Sequence, residues 1–125
     1  MFQVTMIIGR VTSKITINTL PNDMDVANFS VACNRSFYSG EEARQETIWF
    51  QVSVFGRQAR PCVDMLRKGS VVHVMGRLRP DAKTGNPRIW TSAETGSIGT
   101  SYEIIASNVK FISGYGKMKE VTKND

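Results

Sequence analysis

The segment QETIWFQVSVFG, Gln45 to Gly56, places two large aromatics, Trp49 and Phe55, six residues apart. In an extended chain, alternate side chains share a face, so Trp49, Gln51, Ser53 and Phe55 form one side. Phe50, Val52 and Val54 form the other, an ordinary core stripe. The first set puts an indole and a phenyl ring about 20 Å apart on the side that ought to face water, with small polar residues between them. Flat rings in that position stack on flat ligands, and each nucleic-acid base stacked on an aromatic contributes about 1–3 kcal/mol. The competing explanation for both rings is burial against a second subunit.

Cations accompany the aromatics. Arg57 lies two residues after Phe55, Arg60, Arg67 and Lys68 surround one helical stretch, and Arg77, Arg79, Lys83 and Arg88 fall in one strand and loop region. Arg10 and Arg35 sit on earlier strands. Sixteen Lys and Arg against eleven Asp and Glu give a net charge of +5, enough to attract a polyanion but too little to identify one. Catalytic chemistry has no comparable constellation. The single histidine, His73, alternates with Val72 and Val74 onto the polar side of a strand, and Asp23, Asp25, Glu41 and Glu42 occupy turns. No phosphate loop, zinc spacing or nucleophile motif is present, so no enzyme activity, cofactor or metal is expected. Cys33 and Cys62 lack a CxxC spacing and read as small buried hydrophobes.

The elements that hold these residues follow from periodicity. Residues 3–12 and 15–19 are rich in β-branched residues, Gly9 marks a bend, and LPNDMD (20–25) is a turn. Residues 27–33 alternate as a half-buried strand, SGEEARQE (39–46) reads as a hairpin loop, and a strand over about 47–55 follows. Ala59, Cys62, Val63 and Leu66 then repeat at helical spacing, with Pro61 in the first turn and Gly69 as the left-handed stop. Residues 70–79 form a strand with Val72, Val74 and Leu78 on one side, 80–101 form a long excursion rich in Gly, Pro, Ser and Thr, and 102–112 form the last strand. The expected fold is all-β, a five-stranded OB-fold barrel with one short helix between strands 3 and 4. The expected domain covers 1–112, with a short flexible tail over 113–125. No apolar run approaches a membrane span, and MFQVTMIIGR lacks the pattern of a secretion signal, so a cytoplasmic protein is expected.

Four segments, IIGRVTS, VANFSVACNRSF, ETIWFQVSVFGRQA and MLRKGSVVHVMGRL, occur in order and at the right spacing over residues 1–112. Together they resemble the bacterial single-stranded DNA-binding proteins, the SSB family. The resemblance implies sequence-independent binding and protection of single-stranded DNA in replication, recombination and repair, on a homotetramer of OB-folds. It implies base stacking on Phe37, Trp49, Phe55 and Trp90, and phosphate contacts from Arg57 and Lys68. Arg10, Arg35, Arg77, Arg79, Lys83 and Arg88 are further candidates for phosphates. Strict alternation from Phe29, Val31 and Cys33 puts Phe37 on the core side, so stacking there requires a bulge near Asn34 and Arg35. Trp90 lies in the excursion, where the chain carries several residues more than the family pattern. The chain ends in KEVTKND rather than the family's acidic tip, so recruitment of repair and replication enzymes through such a tip is not carried over. Two rivals remain: an OB-fold that serves assembly with little nucleic-acid affinity, and a cold-shock-like RNA binder, whose domains are much shorter.

Overall fold

The computed structural model describes residues 1–113. These form strands β1 (Thr5–Val11), β2 (Thr16–Thr19), β3 (Asp25–Ser39), β4 (Glu42–Phe55), helix α1 (Ala59–Met65), then β5 (Val71–Leu78), β6 (Ile89–Thr91), β7 (Ile98–Thr100) and β8 (Tyr102–Ser113). The main sheet runs β1-β5-β8-β4-β3-β2, and a further pairing of β1 with β3 closes it into a barrel. Both β1 and β2 run antiparallel to β3, through Val11↔Val31 and then Thr16↔Asn28, so they act as two halves of one bent strand. Counted in that way the barrel has five strands, with α1 between the third and fourth, as the periodicity predicts.

Alternation sends Phe29 and Val31 of β3, Val52 and Val54 of β4, Val72 and Val74 of β5 and Ile104 of β8 into one core. Ala59 and Cys62 of α1 pack into the same core, together with Leu66 directly after the helix. Burial pushes the Cys62 thiol up to about 11, as expected of a packed rather than a reactive cysteine. Gly9 lies where β1 passes closest to β3: a Cβ there would come within 2.6 Å of the Ala32 carbonyl oxygen and the Val31 side chain. A second close approach occurs at Gly76, where β8 carries an extra residue, Ser107, between the pairs Met75↔Asn108 and Gly76↔Ala106. Gln58 secures that bulge, donating from Nε2 to the Ser107 carbonyl at 2.8 Å and accepting from the Val109 N–H at 3.3 Å.

Four expectations about the elements change. Residues 39–46 are mostly strand, because β3 and β4 pair without a shift from Val26↔Phe55 to Ser39↔Glu42 and turn on Gly40 and Glu41 alone. Past the barrel the ribbon has no core to cover, so both of its faces are free to be polar and its sequence looks like a loop. Gly40, with φ 68°, takes the first central position of the two-residue turn. Helix α1 stops earlier than expected, because Leu66 is already extended at φ −93° and ψ 147°. Gly69 instead belongs to the turn into β5, where its N–H donates to the Val11 carbonyl and buried Ser70 accepts from the Arg67 N–H through Oγ. Leu78 keeps the parity of Val74 but lies beyond the closed part of the barrel and is exposed.

The excursion also has structure, since β6 and β7 pair as a small ribbon through Trp90↔Gly99. Before it, the Asp81 carboxylate accepts the backbone N–H groups of Lys83 and Thr84, which hold its pKa below the ordinary carboxylate value. The last strand runs through Ser113, one residue past the expected domain boundary, and the expected tail from 114 onward lies outside the described residues. No helix among the described residues is long and apolar enough to cross a membrane.

Candidate nucleic-acid interface

The unshifted register of β3 and β4 fixes what shares a face with Trp49. Cross-strand partners in an antiparallel pair point to the same side, so the outer face of the hairpin reads as a series of pairs. From the barrel end these are Val26 with Phe55, Asn28 with Ser53, Ser30 with Gln51, and Ala32 with Trp49. The polar pairs are joined side chain to side chain, Ser53 Oγ to Asn28 Oδ1 at 2.7 Å and Ser30 Oγ to Gln51 Oε1 at 3.2 Å. Each ring thus stands opposite a smaller aliphatic residue, and the floor between the rings is short and hydrogen-bonded. Trp49 is 56% exposed and Phe55 36%. Neither is wedged within the chain.

Cations frame this strip on both sides. Arg10 pairs with Ala32 and so lies one strand beyond Trp49, with its Nη1 donating to the Gly69 carbonyl at 2.7 Å, which brings it beside exposed Lys68. Arg57 belongs to the 3-10 turn that begins directly after Phe55. On the opposite side, Ser53 pairs with Ile105 of β8, and Ile105 with Arg77 of β5, so Arg77 shares the outer face. Gln51 pairs with Glu103, whose carbonyl accepts the Arg79 N–H and whose carboxylate holds Arg88 at 3.1 Å. Arg88 is therefore partly neutralised where it stands. Arg10, Arg57, Lys68, Arg77 and Arg79 make no ion pair among the described residues.

Four of the residues singled out from the sequence, Arg35, Phe37, Lys83 and Trp90, stand apart from the strip. The register shows no bulge near Asn34 and Arg35, so Phe37 keeps the core-side parity and lies on the other face of the hairpin. There the Arg35 guanidinium covers its ring at 4.8 Å while pairing with Glu46 at 2.6 Å. Lys83 sits in the turn held by Asp81, and no strand pairing brings it to the strip. Trp90 is held in place on β6 of the excursion. Its ring lies so close over Gly99 that no Cβ would fit there, and its Nε1 donates to Ser101 Oγ at 3.3 Å. Nearly half of the indole is left open.

Residues 2–112 match the Single-strand binding protein family. The chain belongs to that family. It is similar to Single-stranded DNA-binding protein 2 of Clostridium acetobutylicum, 30% identical over 125 residues that span 97% of this chain and 84% of the relative. A Staphylococcus aureus (strain COL) protein of the same name is 30% identical over 119 residues, 93% of this chain and 77% of the relative. Among solved structures, a Plasmodium falciparum SSB complex with ssDNA superposes with a TM-score of 0.71 at 28% identity, covering 90% of this chain and 97% of that one. A small single-stranded DNA-binding protein from Streptomyces coelicolor shares the fold, with a TM-score of 0.68 at 21% identity, covering 89% and 95%.

For this member of the single-strand binding family, the described residues hold no cluster of three or more His, Cys, Asp or Glu that would grip a metal ion. One aromatic on the outer face escapes the sequence reading: Tyr38, near the hairpin tip, pairs with Ala43 and is 75% exposed. Its place on that face follows from its lying six residues beyond Ala32. It is visible only once β3 is known to continue past Cys33.

Proposed function

We propose that the protein binds single-stranded DNA without regard to sequence, stacking bases on Trp49 and Phe55 and placing phosphates against Arg10, Arg57, Lys68, Arg77 and Arg79. The observation that carries this reading is the pairing pattern of the outer face, with exposed rings over small partners and a low polar floor between them. A protein that must hold any single strand needs ring faces and cations rather than base-edge readers, because every nucleotide offers a π-face and a phosphate. Trp90 adds a platform where the strand crosses the excursion, whereas Phe37, on the other face of the hairpin with Arg35 over its ring, contributes less. Arg35, Arg88 and Lys83 contribute less, being paired or remote. Adding poly(dT) at low salt should strongly quench tryptophan emission, and unchanged emission would sink the reading. Parallel titration with oligo(U) separates DNA from RNA preference.

The salt dependence gives a second measurement. Arg57→Ala is expected to flatten the slope of log K against log salt by about 0.7, the release expected for one phosphate contact on a single strand. An unchanged slope would remove Arg57 from the phosphate path.

Self-association is part of the same proposal. Met6 and Ile8 are exposed on the outside of β1, beside Met75 and His73 of β5. On that surface His73 Nδ1 and Asn108 Oδ1 are buried without a hydrogen-bond partner among the described residues. An apolar face with orphaned polar atoms suits contact with further copies of the chain, in a homotetramer. Sedimentation with and without single-stranded DNA tests assembly, and a monomer under both conditions would exclude it.

A further inference from the structure

The pairs on the outer face do not stop at Trp49. Beyond Ala32 with Trp49 come Asn34 with Thr47, Ser36 with Gln45, and Tyr38 with Ala43. On β3 the three ring-bearing pairs fall at Val26, Ala32 and Tyr38, six residues apart each time, and in every one the ring faces Val or Ala. Between successive rings stand two polar pairs. The aromatic changes strand at the last step, from β4 to β3, yet its place on the ribbon keeps the interval of about 20 Å. Thr47 Oγ1 donates to Asn34 Oδ1 at 2.7 Å, repeating the hydrogen-bonded floor seen between Trp49 and Phe55.

Charge separates the two faces of the hairpin. Arg35, Glu42, Arg44 and Glu46 all have the parity of Phe37, and they pair as Arg35 with Glu46 and Arg44 with Glu42 at 3.0 Å. The Tyr38 face carries no charged residue from Asn34 to Tyr38 or from Ala43 to Thr47. A phosphodiester chain that leaves Trp49 along this face meets no carboxylate, whereas the Phe37 face presents two.

We infer that Tyr38 is a third stacking platform and that the single strand continues outward from Trp49 along the Tyr38 face of the β3–β4 hairpin. This rests on the single-stranded DNA reading above. The ribbon lengthens the contact by one interval beyond the barrel, so Tyr38 matters only to a strand long enough to span all three rings.

The test uses the full chain with oligo(dT) of increasing length. Tyr38→Ala should leave affinity for short oligonucleotides unchanged and lower it for long ones by about fivefold or more, with Tyr38→Phe restoring the parent value. Tyr38→Trp in a Trp49→Phe, Trp90→Phe background should show emission that is quenched by long and not by short oligo(dT). If Tyr38→Ala binds every length like the parent while Trp49→Ala binds weakly, the path ends at Trp49 and this inference fails with the DNA reading intact. If the parent itself does not bind oligo(dT), the DNA reading and this extension fall together.

Discussion

Replacing Trp49 and Phe55 together by alanine is expected to lower affinity for oligo(dT) roughly 30-fold or more, with the barrel still folded. Each ring supplies about 1–3 kcal/mol of stacking. They stand about 20 Å apart and share no partner, so their losses add. A combined loss of about 2–6 kcal/mol corresponds to a factor of roughly 30 to 10⁴ in the binding constant. The fold tolerates the change because both rings stand on the outside, over Ala32 and Val26, while Phe29, Val31, Val52 and Val54 fill the interior. Fluorescence anisotropy with labelled oligo(dT), alongside thermal melting, reads both effects. A melted double variant would mean that the rings are structural, and a folded one with parent affinity would move the binding surface elsewhere.

The part of this strip that is legible in the sequence is the part with a core behind it. From Thr47 to Phe55 the buried valines impose alternation, and alternation exposes Trp49 and Phe55 by subtraction. Beyond Cys33 and before Thr47 the same two strands continue with nothing to bury, so charges occupy one face and short polar residues the other. That composition is indistinguishable from a loop, so neither the hairpin arm nor Tyr38 is legible in it. The excursion hid β6 and β7 for a related reason: three-residue strands between turns leave too few positions for a period to show. The cations around the strip were recognisable as cations only. Placing Arg77 next to Ser53 requires the parallel pairing of β4 with β8, a contact between segments separated by the helix, β5 and the excursion.

Gly76→Ala carries the largest expected effect on stability. An added Cβ would meet the Ile105 carbonyl oxygen and come within 2.8 Å of Ala106 Cα, and both obstacles are backbone. No rotamer change relieves them, so the extra residue in β8 would have to shift, and with it the Gln58 contacts that secure the bulge. Overpacking of this kind costs roughly 3 kcal/mol, which lowers the Tm of a domain this size by about 10 °C or more. Gly85→Ala is the control, because its surroundings are open and only its φ of 74° opposes a side chain. A Gly76→Ala protein that melts with the parent would show that the bulge relaxes freely.

The constant register of β3 and β4 also decides which insertions and deletions the chain can inherit. Losing one residue between Phe29 and the turn would exchange the two faces of everything on one side of it, sending core valines out along with the rings that turn in. Length change in the hairpin is therefore confined to its tip. The excursion obeys the opposite rule. It leaves and re-enters at adjoining positions, with the Arg79 N–H bonded to the Glu103 carbonyl, so its ends stay together whatever lies between them. Doubling such a segment costs only about 0.6 kcal/mol in closure entropy. Among related chains, then, variation in length should gather between β5 and β8, where it can reshape the seat of Trp90 without disturbing the barrel.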